Sequence, residues 1–67
     1  MNLKTARDML EKERSDFQTT SDNFETVFPG AVSAYRDLVQ AHAVGVFAID
    51  AMIAAYGEDF EPEPRRD

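Results

Sequence analysis

The chain has no cysteine and a single histidine, His42. No disulfide can staple it, and one copy cannot build a multi-histidine metal site. Glycine and proline are scarce, three of each, so the places where regular structure can break are few. They are Phe28-Pro29-Gly30, Gly57, and the terminal stretch with Pro62 and Pro64. Basic residues are short as well: seven Lys and Arg stand against thirteen Asp and Glu, for a net charge of −6. Nucleic-acid binding rests mainly on basic side chains neutralising phosphates. With no basic patch, nucleic acid is disfavoured as a partner, and an anionic membrane surface is disfavoured for the same reason. A basic protein surface is the more natural counterpart.

Other absences narrow the chemistry. No Gly-rich phosphate loop and no Gly-turned calcium loop occur. The Ser and Thr residues have no His or Lys arranged beside them as a base. No catalytic residue, cofactor site or metal site is expected, and the chain does not read as an enzyme. Met1–Asp8 lacks the apolar run of a secretion signal. Ala41–Tyr56 is short for a membrane span and contains Asp50. The expectation is a cytoplasmic protein, with which the lack of cysteine agrees.

What the sequence does contain is helical periodicity. Leu3, Leu10, Phe17 and Phe24 recur every seven residues, with Ala6, Glu13, Thr20 and Val27 as companions. This predicts a first helix over about residues 2–27, capped by Asn2 or Thr5. Its charges obey helical spacing in the pairs Lys4–Asp8, Arg7–Glu11 and Asp8–Lys12. Thr19–Asn23 are mediocre helix formers, and Asp22 followed by Glu25 has the form of a fresh helix start. The helix either runs through or breaks near Gln18. The constant phase from Leu3 to Phe24 favours the unbroken form. Pro29 disfavours helical geometry at Phe28 and opens the next helix. So short a turn, residues 28–30, makes the two helices antiparallel neighbours.

The second helix, about residues 31–56, ends at Gly57. On a helical wheel Tyr35, Leu38, Val39, His42, Val46, Ile49, Met52, Ile53 and Tyr56 form one core-facing stripe. Ala34, Ala41, Ala48 and Ala55 form a second seam at intervals of seven, with Gly45 beside them. The remaining arc begins polar and then becomes apolar at Ala43, Phe47 and Ala54. Only Asp50 carries charge between Ala43 and Tyr56. A helix apolar on nearly all sides is normally buried on nearly all sides, and 67 residues hold too little else to cover it. Contact with another copy or another protein is therefore expected at Ala34, Ala41, Val44, Gly45, Phe47, Ala48, Asp50 and Ala55. Asp50 faces solvent or pairs with Arg36 or with a partner's cation. His42 is expected inside, bonded to a hydroxyl or carbonyl. Residues 58–67 read as an acidic flexible tail in which Phe60 folds back once.

The architecture expected is all-α: an antiparallel two-helix hairpin that dimerises into a four-helix bundle. In plan it resembles the small plasmid copy-number regulators of the Rop type, which are also dimerising hairpins. The local likeness is Ala54-Ala55-Tyr56-Gly57-Glu58-Asp59. Those regulators bind RNA through a basic helical face; this chain lacks one, so no binding residue is carried over. The function expected is a small acidic interaction module that docks on and inhibits a partner protein. The alternatives are a structural subunit of a larger assembly and a nucleic-acid-binding bundle. By analogy, such short acidic regulators are common in phages and mobile elements.

Overall fold

Helix α1 (Leu3–Val27) begins where Asn2 turns extended and its Oδ1 accepts the Thr5 amide at 2.8 Å. The next two free donors of that first turn are satisfied from the other end of the chain. The Leu3 amide donates to the Phe60 carbonyl at 3.0 Å and the Lys4 amide to the Glu58 carbonyl at 3.1 Å. The computed structural model describes residues 1–62. Residues 58–62 therefore include a segment that caps α1, rather than behaving as tail throughout. The remainder of the expected tail, 63–67, lies outside the described residues.

Helix α1 is unbroken through Thr19–Asn23. The Thr19 and Thr20 hydroxyls donate to the Ser15 and Asp16 carbonyls, at 3.1 and 3.0 Å. Hydroxyls that could compete with the backbone are thus folded onto the preceding turn. Ser21, 1% exposed, faces inward, where its small side chain lets the helices approach. The helix stops at Phe28, whose backbone (φ −136°, ψ 70°) leaves helical geometry ahead of Pro29. One 3₁₀ turn, Pro29–Ala31, then reverses the chain into α2 (Val32–Tyr56). Helix α2 has no side-chain cap at its start and ends at Gly57 with φ +93°. There the Gly57 amide donates to the Ile53 carbonyl at 2.8 Å.

The two 25-residue helices pack side by side as an antiparallel hairpin. Each is about 37 Å long at 1.5 Å per residue. Leu3, Leu10, Phe17 and Phe24 do face α2, and the helix also presents Arg7, Arg14 and Ser21, each four residues further on. Of the companions expected from the sequence, Ala6 and Thr20 are half-buried while Glu13 and Val27 are exposed. The buried apolar core is thin: Leu3, Val32 and Val46. Around it Phe17 and Phe24 flank Tyr35, with ring centroids 6.1 and 5.2 Å away. From the expected α2 stripe, Leu38 and Tyr56 are exposed; Tyr56 stacks on Phe60 at 4.7 Å.

Candidate protein-interaction surface

A single hairpin covers one face of each helix, and the chemistry of the uncovered faces differs. On α2 the residues turned away from α1 are Ala34, Asp37, Gln40, Ala41, Val44, Phe47, Ala48, Ala51, Ala54 and Ala55, all exposed. Phe47 is 78% exposed and Val44 57%. Leu38 and half-buried Met52 border this strip on one side, and Phe47 and Ala54 on the other. It runs from Ala34 to Ala55, about 32 Å at the helical rise. Single exposed apolar residues are ordinary, and this strip differs from them in running nearly continuously along one helix face, with Asp37 and Gln40 as its polar members.

The eight residues singled out from the sequence do not all lie on this strip. Ala34, Ala41, Val44, Phe47, Ala48 and Ala55 do. Gly45 is half-buried against α1: a Cβ built on it would stand 3.1 Å from Leu10 Cδ1. Leu10 thus packs closely on Gly45, in a notch where even a methyl group would require Leu10 to yield by a few tenths of an ångström. Asp50 lies at the side of the hairpin, where its Oδ1 accepts from Arg7 Nε at 2.6 Å. The pairing expected with Arg36 is not made, because Arg36 lies near the turn and bonds Glu25 at 3.0 Å. Arg7 in turn is drawn to Asp50 rather than to Glu11, which accepts twice from Arg14 at 3.0 and 2.7 Å. Lys12 stands 3.7 Å from Asp16 in place of Asp8, while Lys4–Asp8 forms as expected at 3.2 Å.

His42 has two partners. Its Nδ1 donates to the Leu38 carbonyl at 2.8 Å, and its Nε2 lies 2.9 Å from Glu13 Oε2. The Phe17 ring packs beside it at 5.2 Å. A carbonyl only accepts, and so does an ionised carboxylate, so the arrangement suits an imidazolium with both nitrogens protonated. The Leu38 carbonyl and then the Glu13 carboxylate raise the His42 pKa above its ordinary 6.5, against the opposing effect of desolvation. Glu13 interrupts the apolar heptad of α1, and this cross-helix contact explains its place there.

Among the described residues there is no concave pocket and no group of three or more His, Asp or Glu placed to hold a metal ion. Counted from Pro29 to Tyr56, the second helical segment is long and apolar enough to cross a membrane by length and composition; mostly buried core helices and signal sequences near an N-terminus meet the same criterion, and here most of the span is exposed. Neither family models, nor curated proteins, nor solved structures yield a match to this chain.

Proposed function

We propose that this chain is a small non-enzymatic protein-interaction module whose working surface is the outer face of α2. The observation that carries this reading is the uncovered strip Ala41–Ala55, with exposed Phe47 on its flank at mid-length. Burying it removes apolar area from water at about 25 cal/mol per Å². Small alanines let a second helix approach to near the short end of the usual ~8–10 Å spacing. Two hairpins joined in this way form a dimeric four-helix bundle. As a regulator, the assembled module would inhibit a partner with a basic surface by covering a face that partner needs. Its acidic balance supports such a counterpart.

Light scattering over a dilution series, on the parent chain and on Phe47→Glu, tests the reading. The parent is expected to associate, with itself or with an added protein. Phe47→Glu is expected to remain helical by circular dichroism and to lose that association. Unchanged association in both settings would remove the outer face of α2 as the working surface. Growth far beyond a dimer would favour a structural subunit of a larger assembly.

A further inference from the structure

We infer that the occupant of this face is a second copy of the chain, with the two α2 helices antiparallel and a two-fold axis at the level of Val46 and Phe47. The inference rests on the proposed role of the α2 face and specifies its partner and register. Ala34, Ala41, Ala48 and Ala55 alternate with Asp37, Val44 and Ala51 at the three- and four-residue spacing of a coiled-coil seam. Such a seam is matched by another long helix with the same period, and α2 itself is one.

Charge selects the second copy and its direction. His42 is turned toward Glu13 on α1. Between Asp37 and Glu58 the one other charged side chain of α2 is Asp50, set off the strip and paired with Arg7. Two chains of net charge −6 can therefore meet over a surface whose one charged side chain is Asp37. A basic partner would find only Asp37 within the seam. A parallel pair would place Asp37 directly against its own counterpart, and like charges so placed repel. The antiparallel pair sets Asp37 beside Ala55 of the other copy, about 27 Å along the axis from the other Asp37 at the helical rise. It also opposes the helix dipoles.

The same register sets the side chains of the two copies level with one another. Val44 lies over Ala48 of the second copy, and Ala41 over its Ala51. On the flanks Leu38 meets Met52, and the two Phe47 rings meet each other at the axis. A two-fold contact must be self-complementary in this sense, and the strip supplies both bulky and small positions at the needed levels.

Because the chain has no cysteine, one nitroxide label on Thr26→Cys, exposed near the turn, reports direction. Pulsed electron resonance is expected to read a separation of about one helix length, ~37 Å, or more. A separation of three interhelical spacings, ~24–30 Å, with both labels at one level, would show a parallel pair, overturning this inference but leaving the α2 face as the working surface. Phe47→Glu is expected to weaken self-association at least ~100-fold, and Phe47→Ala, which adds no charge, ~10-fold or more. A parent chain that stays monomeric at every concentration overturns the second copy as occupant. In that case, binding to phosphatidylcholine vesicles would assign the strip to lipid, and binding to a basic protein would assign it to a heterologous partner. If the Phe47 substitutions change none of these associations, the α2 face fails together with this inference.

Discussion

Helices α1 and α2 have equal length and share one interface, yet their outward faces are built from opposite materials. On α1 the outer face holds Lys4, Asp8, Lys12, Asp16, Gln18 and Asp22, bonded to one another at helical spacing. On α2 the outer face carries Asp37 and Gln40 near its start and is otherwise alanine, valine and phenylalanine. An amphipathic helix is complete with one neighbour, whereas a helix apolar all round needs two. The hairpin supplies α2 with only one. That difference leaves the larger exposed apolar face on α2.

The comparison breaks most severely at the shared interface. Gly45→Leu would drive a branched side chain into Leu10, which already stands 3.1 Å from the position of a Cβ. Overpacking of this kind costs about 1–3 kcal/mol, and here it would also part the helices. A fall in thermal midpoint of several degrees, followed by circular dichroism, is the expected result. A melt at or above the parent's would show that Leu10 does not depend on the notch. Next in size is Gly57→Ala. At φ +93° and ψ 159° an L side chain is strained, at a cost of about 1–2 kcal/mol. Amide exchange at Leu3 and Lys4 should quicken with it, because Gly57 aims the Glu58 and Phe60 carbonyls at those donors.

Two smaller effects sharpen the contrast. The His42 titration midpoint, read by NMR, should lie above 6.5 and fall partway back in Glu13→Gln, since the Leu38 carbonyl remains. The sign follows from linkage: a pKa raised by folding contributes stability that is fully present below the unfolded value. That stability is lost as pH rises through the folded value. The parent should therefore lose stability as pH climbs past 6.5, and Glu13→Gln should lose less over the same window. A midpoint at or below 6.5 would contradict the two-acceptor geometry. The smallest effect belongs to the solvated face of α1. Lys12→Ala should alter stability by less than about 0.5 kcal/mol and leave association unchanged. A larger loss would mean that α1 also has an outward contact.

Local features were legible because their causes are local. Of the two cap candidates Asn2 is the one used, Gly57 ends α2 as expected, and Pro29, expected to open the second helix, instead opens a separate 3₁₀ turn before α2 begins at Val32. The sevenfold recurrence from Leu3 to Phe24 marked the inner face of α1 for the same reason. The candidate strip was legible through Ala34, Ala41, Phe47, Ala48 and Ala55, but Gly45 was not. Its role depends on which α1 residue lies opposite, and periodicity within one helix carries no such information.

Two helices, their turn, their ends, and the excess of apolar surface on the second follow from local signals along the chain. The pairs between elements do not: Arg7 with Asp50, Glu13 with His42, and the carbonyls of Glu58 and Phe60 on the first turn of α1 arise from how the helices are set against each other. The physical reason is register. Sliding one helix by a turn along the other would preserve every local signal in the chain and change every one of these partners. The alignment is selected by packing, with Leu10 in the notch at Gly45 and Ser21 at the close approach.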